Sequence, residues 1–275
     1  MTRATRATDG PPLIIGHRGA SADAPENTLA SFALALAQGA DGVEFDVRLA
    51  RDGVPVVVHD ATLARTARLD ARVDALTSAE LRRLDASSWF APRAGAARAP
   101  ARSQGVPTLG ETLALVGPRS RSVYVELKCD AGEDHAALAA AAVGEVRRHC
   151  LEDRAVVKCF RHEALAEVKR LAPEIRTAAL FERTLARPFL SPAALVGAAL
   201  GCGAEEVSLQ RLLLRPAAVR AAKARGISVL VWTIDTPAGL RRACAAGADV
   251  VFTNRPGLLR SALESLRAVA PAGAA

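Results

Sequence analysis

Three stretches of the chain carry side chains whose types and spacing could do acid-base chemistry around a cation. They are Gly16-His17-Arg18-Gly19, Glu44-Phe45-Asp46 with His59-Asp60 behind it, and Glu126-Leu127-Lys128. Imidazole titrates near neutral pH, so a pair of histidines suits general acid and general base work. Glu44 and Asp46 are two residues apart; on a strand both point to one face, about 7 Å apart along the chain. A lone Glu-x-Asp is most often a solvated pair on an edge strand, but the surroundings argue for more. Arg51-Asp52-Gly53 is a hairpin-type turn followed by a strand pattern over 54–59, and folding about residue 52 sets Asp46 opposite Val58 and Glu44 opposite Asp60. His59 thereby returns to the level of the carboxylates, although a one-residue slip would turn it to the other face.

Glu126 and Lys128 form another same-face pair. With neighbouring strands about 4.8 Å apart, Glu126 can join Glu44 and Asp46 around one hard divalent ion. The all-oxygen donor set is the kind Mg²⁺ or Ca²⁺ takes, and Mn²⁺ is compatible with it; zinc fits poorly without cysteines or several histidines. Three carboxylates against Arg18 and Lys128 leave one net negative charge, and a dication turns this into one positive charge. Such a site suits a phosphodiester monoanion and the charge that develops on attack at phosphorus. A salt-bridge cluster stiffening a barrel mouth is the plainer alternative, and it leaves His17 and His59 without a role.

The elements that must position these groups follow from the periodicity. From residue 13 onward, short β-branched runs alternate with helical patterns, the signature of βα units and a parallel sheet. Strands are expected at 13–16, 42–47, 122–128, 155–160, 176–181, 205–209, 227–234 and 249–253, and helices near 28–38, 108–116, 133–149, 162–171, 191–200, 216–225, 237–246 and 257–268. Leu29, Phe32, Ala33 and Leu36 repeat with helical period and Gly39 is placed as a C′ residue; Thr108 and Glu111 have capping-box spacing. Eight such units argue for an α/β fold, a TIM (β/α)8 barrel with functional side chains at the strand C-termini. An insertion at about 54–107 lies between strand 2 and helix 2. It includes a short capped helix (Thr77-Ser78-Ala79-Glu80-Leu81) and a Gly/Ala/Arg/Pro stretch over 92–105; in a barrel such an insertion sits over the mouth, and a tolerated surface decoration is the alternative. One domain is expected over 13–268, with mobile tails at 1–12 and 269–275.

Composition excludes other classes. The 275 residues are 50% hydrophobic, 24% charged and 4% aromatic, a balance able to bury a full core and unlike that of a disordered chain. The net charge of +7 comes from 32 Arg and 4 Lys scattered among alanines, with no basic run or aromatic-interleaved patch, which argues against a nucleic-acid partner. Charge breaks every apolar run well before about 18 residues, so no membrane insertion is expected. The opening MTRATRATDGPP lacks the apolar stretch of a secretory signal, and a cytoplasmic location is expected. Five cysteines without a C-x-x-C pair suggest neither a disulfide framework nor a zinc knuckle; most are expected to pack as small hydrophobes.

Taken in order, His17-Arg18-Gly19, Pro25-Glu26-Asn27-Thr28, Glu44-x-Asp46, Asp52-Gly53-x-Pro55-x-x-x-His59-Asp60, Pro107-Thr108-Leu109, Glu126-Leu127-Lys128, Trp232-Thr233 and Thr253-Asn254-Arg255-Pro256 resemble the glycerophosphodiester phosphodiesterase family over roughly 13–256. The resemblance implies a TIM barrel, one divalent cation held at Glu44, Asp46 and Glu126, and paired histidines with His17 as base and His59 as acid. It implies hydrolysis of a small glycerophosphodiester to glycerol 3-phosphate and an alcohol, by water or through the substrate's own glycerol hydroxyl. Arg18 and Lys128 are expected on the phosphate. Trp232 is a candidate platform for glycerol or headgroup and equally a core aromatic; Asn27 is a substrate or catalytic-group partner and equally a helix cap. Relatives commonly have Ser at the position of Cys159, many have Asp at Asn254 and many have Asn near Asp235, and these departures bear on headgroup preference. Alternative functions are a lysophospholipase D acting on single-chain lipids and, further off, a non-catalytic barrel binding a phosphorylated ligand.

Overall fold

The computed structural model describes residues 10–91, 103–184 and 190–269. Among them nine strands form one sheet: β1 (Leu13–His17), β2 (Gly42–Leu49), β3 (Pro55–Val57), β4 (Ser122–Leu127), β5 (Ala155–Cys159), β6 (Arg176–Phe181), β7 (Glu206–Gln210), β8 (Ser228–Trp232) and β9 (Val250–Thr253). All but β3 run parallel, and β1 pairs with both β9 and β2, so the sheet closes into an eight-stranded barrel. The helices are α1 (Leu29–Ala37), α2 (Ala64–Ala67), α3 (Ser78–Arg83), α4 (Leu109–Val116), α5 (His135–Arg148), α6 (His162–Leu171), α7 (Pro192–Gly201), α8 (Pro216–Lys223), α9 (Pro237–Ala246) and α10 (Pro256–Val269). This is the TIM barrel that the alternating pattern implies.

Period-two alternation sends alternate residues of the barrel strands to the helices and to the barrel interior. Val43, Phe45 and Val47 of β2 and Val123, Val125 and Leu127 of β4 face the helices, while Ile15, Tyr124, Val156 and Phe252 fill the barrel itself. Phe45 meets Phe32 of α1 edge to face at 5.5 Å. Truncating a buried phenylalanine in such a contact costs about 3–5 kcal/mol. The capping of α1 falls to Thr28, whose hydroxyl accepts from the Ser31 amide at 3.2 Å, and the helix stops at Gly39 with φ +84°, a left-handed conformation most side chains resist.

The insertion begins with β3, antiparallel on β2 with Val47 opposite Val57 and Leu49 opposite Pro55. This is the register set by a turn at residue 52, and it continues in the Val58 amide donating to the Asp46 carbonyl at 2.9 Å. The insertion has a small core of its own, with Val56, Val58, Leu63, Val73, Leu81 and Val106, and both α3 and α4 start on capping boxes (Thr77 with Glu80, Thr108 with Glu111). Residues 92–102, 1–9 and 270–275 lie outside the described residues, and with them much of the expectations for the 92–105 stretch and the tails. Of the five cysteines, Cys159 and Cys202 are buried and Cys129 and Cys244 are partly buried and packed against apolar clusters, as expected of small hydrophobes; Cys150, which follows α5 with φ +52°, is exposed. Among the described residues no helix is long and apolar enough to cross a membrane.

Candidate active site

Strand register brings the acids together. Asp46 of β2 lies opposite Glu126 of β4, Glu126 lies opposite Lys158 of β5, and Glu44 sits two residues below Asp46. Glu44, Asp46 and Glu126 are buried, and one oxygen from each lies within 4.8 Å of the others. Arg18 Nε is 3.1 Å from Asp46 Oδ2. Lys128 Nζ is 3.1 Å from Asp46 Oδ1 and also pairs with Glu126. Lys158, which the motif spacing does not single out, brings Nζ to 2.9 Å from Glu44 Oε1 and 3.0 Å from Glu126 Oε2. Three carboxylates therefore face three cations, and the cluster is neutral without any bound ion.

Local backbone geometry fixes these side chains. Arg18 and Gly19 turn the chain off β1 with φ +56° and +86°; a Cβ on Gly19 would come within 2.3 Å of Ser31 Oγ, so the turn needs glycine. The Arg18 amide then points at Glu44 Oε2 at 3.1 Å. Asn27 also adopts φ +56°, and its Nδ2 donates to Asp46 Oδ2 at 2.9 Å. With Thr28 as the helix cap and Asn27 only 5% exposed, the cap reading of Asn27 is corrected. Its amide donates to Asp46, the hydrogen bond to a group of the site that was the other reading of this residue, and it positions that carboxylate.

Burial disfavours the charges of Asp46, Glu126, Lys128 and Lys158, and the opposite charges outweigh it. Lys128, Arg18 and His59 hold Asp46 well below the usual carboxylate range. Against the same burial, Lys158 and Lys128 hold Glu126 down, and the carboxylates in turn raise Lys128 and Lys158. Glu44 Oε1 and Asp46 Oδ1 are nonetheless buried without a hydrogen bond: the lysines reach them at ion-pair distance without the angles of one. Buried anionic oxygens left without such a bond are costly. Two such oxygens, with Glu126 within 4.8 Å of both residues' ligand atoms, fit a hard divalent ion.

The two histidines flank the cluster with unlike partners. His17 Nδ1 lies 2.8 Å from Asn254 Oδ1. Asn254 Nδ2 donates to Asp235 Oδ2 at 2.7 Å and Ser21 Oγ donates to the same Oδ1 at 2.8 Å. Oδ1 is therefore an acceptor, Nδ1 of His17 carries the proton, and the Nε2 lone pair faces the site, 3.9 Å from Glu44 Oε2. Burial pushes the His17 pKa down, aided by Arg18 and Lys158 and opposed by Glu44. His59 Nδ1 instead meets a carboxylate, Asp60 Oδ1, at 2.7 Å, and its carbonyl accepts from Arg48 Nε at 2.9 Å. Asp60 Oδ2 accepts from Arg65 Nε at 2.6 Å, and Arg65 also grips Glu26, which holds Arg18 at 3.0 Å. A chain of charge-assisted bonds thus ties the His59 ring to the guanidinium beside Asp46.

Two open cavities adjoin the cluster. One of about 350 Å³ is lined by His17, Arg18, Ser21, Glu26, Asp235 and Arg255; the other, about 530 Å³, lies beside Lys128, Arg48, Arg72 and Glu133. Trp232, half-buried at the end of β8, packs edge to face on Phe160 at 5.9 Å and donates from Nε1 to the Ser208 carbonyl at 3.3 Å. Trp89 of the insertion donates to the Ala86 carbonyl at 2.9 Å and lies under Arg65, whose guanidinium is 5.6 Å from the ring centre. Lys158 and Arg65 escaped the motif reading. Lys158 leaves one trace, a charged residue inside an otherwise apolar barrel strand; Arg65 looks like any surface arginine.

The chain matches the glycerophosphoryl diester phosphodiesterase family over residues 17–258. It is 31% identical over 246 residues to a glycerophosphodiester phosphodiesterase of Caldanaerobacter subterraneus, covering 89% of this chain and 94% of that one. A putative glycerophosphoryl diester phosphodiesterase from Silicibacter pomeroyi superposes with a TM-score of 0.83 at 31% identity, covering 96% of this chain and 97% of the other. An Oleispira antarctica phosphodiesterase, solved in complex with the product sn-glycerol-3-phosphate, gives a TM-score of 0.79 at 30% identity over 92% of this chain and 97% of its own. The chain belongs to the glycerophosphoryl diester phosphodiesterase family.

Proposed function

We propose that this protein hydrolyses glycerophosphodiesters to glycerol 3-phosphate and an alcohol, with His17 as general base and His59 as general acid. The observation that carries the assignment is the difference between the histidines' partners. A neutral amide on His17 Nδ1 and burial around the ring favour an unprotonated Nε2, the state a base needs. Asp60 beside His59 Nδ1 offers negative charge to a protonated ring, the state an acid needs. His17 Nε2 takes a proton from the nucleophile and His59 Nε2 gives one to the departing alkoxide. A water nucleophile yields glycerol 3-phosphate directly, whereas the substrate's own glycerol hydroxyl yields a cyclic phosphate that a water then opens to glycerol 3-phosphate. Arg18 and Lys128, 19% and 14% exposed, are the cations open enough to reach a phosphate oxygen, and both stand over Asp46.

Glu44, Asp46 and Glu126 would hold one divalent ion, Mg²⁺ or Ca²⁺ by the hardness of the donor set. When bound, such an ion supplies charge stabilisation at the phosphoryl oxygens. The experiment is release of glycerol 3-phosphate from glycerophosphocholine and glycerophosphoethanolamine, with EDTA and with metal add-back. His17→Ala and His59→Ala should each lose about 10²–10⁴-fold in kcat with divalent binding kept; near-normal turnover in either variant refutes its role.

A further inference from the structure

We propose that Lys158 is a resident counter-cation of the acidic triad: it holds two of the three carboxylates in place before a dication arrives, and it weakens the dication's binding. The inference rests on the reading of Glu44, Asp46 and Glu126 as a divalent site and names a residue that tunes it.

Three observations carry it. First, position: Lys158 stands on β5 directly opposite Glu126, and its Nζ bridges Glu44 Oε1 at 2.9 Å and Glu126 Oε2 at 3.0 Å. Second, burial: its side chain is 2% exposed, and the ammonium lies 4.5 Å from the centre of the Phe252 ring, part of the apolar filling of the barrel. The other two cations line the cavities. Lys158 lines neither, so whatever it does for a ligand it does through the carboxylates, and it is a positioning residue. Third, charge: with Lys158 the cluster is neutral, and without it one negative charge remains. A dication drawing on the same oxygens must sit within a few ångströms of this ammonium, and like charges at that range in a buried site repel strongly.

Ca²⁺ titration of the full-length protein by calorimetry, after treatment with EDTA and desalting, tests this with Lys158→Met and Lys158→Gln. Both variants remove the charge, one keeping an apolar stem and the other a polar tip. The expected result is Ca²⁺ binding about tenfold tighter or better in both variants than in the wild type, and a larger rise in Tm on Ca²⁺ saturation. Damage to the fold would weaken binding, so tightening is a change that a merely structural lysine does not give. Equal or weaker Ca²⁺ binding in folded variants overturns the proposal. A variant that is unfolded without Ca²⁺ and folds on its addition supports it, and one that Ca²⁺ does not rescue overturns it. If the wild type binds no divalent ion and Glu44→Gln changes nothing, the reading of the triad itself falls; if the wild type binds and only the expected tightening is missing, the triad stands and Lys158 is a packing residue.

Discussion

The acid and base assignments can be separated by the leaving group. A general acid is needed when a poor leaving group such as choline's alkoxide must be protonated as it departs, and hardly at all when the group leaves as a stable anion such as p-nitrophenolate. His59→Ala should therefore lose about 10²–10⁴-fold on glycerophosphocholine but less than about tenfold on a p-nitrophenyl phosphodiester, whereas His17→Ala should lose similar factors on both. Asp60→Asn gives an intermediate case whose size follows from the geometry. The 2.7 Å contact to His59 Nδ1 is charge-assisted, worth about 1.5–3 kcal/mol, and roughly twice its neutral counterpart. An asparagine keeps an acceptor there, so about 1 kcal/mol is lost, or about fivefold in kcat; the 27% exposure of Asp60 places this at the low end of the range. Stopped-flow or endpoint assays on both substrates read all three variants. An His59→Ala loss as large on the p-nitrophenyl ester as on glycerophosphocholine refutes the argument from partners, as would an His17→Ala variant restored by the better leaving group.

Glu206 should make stability fall as pH rises. Burial, with Glu205 and Asp249 adding to it against Arg176, pushes its pKa up to about 7, and its Oε2 has no hydrogen bond. The folded state then holds a proton more tightly than the unfolded chain, so the contribution is fully present below the ordinary carboxylate value and is lost as pH rises through about 7, a change of about 3 kcal/mol. Urea melts at about pH 5 and pH 8 should show that slope in the wild type and a flatter one in Glu206→Gln; parallel slopes would refute it. Asn27→Gly keeps the φ +56° backbone while deleting the amide on Asp46, and should weaken Ca²⁺ binding about five- to tenfold with little change in Tm; an unaltered Kd would show that Asp46 needs no such support. Glycerophosphocholine should be turned over faster than lysophosphatidylcholine, since the cavity beside His17 is small and lined by polar and charged side chains; the reverse order would favour a lipid substrate.

The sequence disclosed what depends on local period and strand geometry. The alternation in β2 told which side of the barrel Glu44 and Asp46 face, and the turn at residue 52 set the β2–β3 register that brings His59 back, because both follow from a two-residue repeat. Residues joined only by closure of the barrel stayed hidden. Lys158 belongs to a strand more than thirty residues beyond Glu126, and nothing near it in the chain hints at a carboxylate partner. Arg65 meets Glu26 and Asp60 across a helix and a loop. Of the two readings of Asn27, the cap fails for a physical reason: Asn before a helix is a good cap, but here the next residue, Thr28, takes that place and frees Asn27 to reach Asp46.

The arrangement is layered in a way that an ordinary salt-bridge cluster does not require. At the bottom, Tyr124 and Phe252 close the barrel edge to face at 4.9 Å. Lys158 rests on Phe252, the three carboxylates rest on Lys158, and Arg18 and Lys128 lie above them between the two cavities. Structural ion pairing would be complete at that point, since the charges already cancel. Yet two carboxylate oxygens remain without hydrogen bonds, and two imidazoles stand over them with oppositely suited partners, one amide and one carboxylate. Charge balance calls for neither feature, since the two oxygens already meet ammonium groups at 2.9 and 3.1 Å and no imidazole is needed to neutralise them. Both become intelligible if the layer must accept one more cation and an anionic ester, and then move a proton on at one side and off at the other.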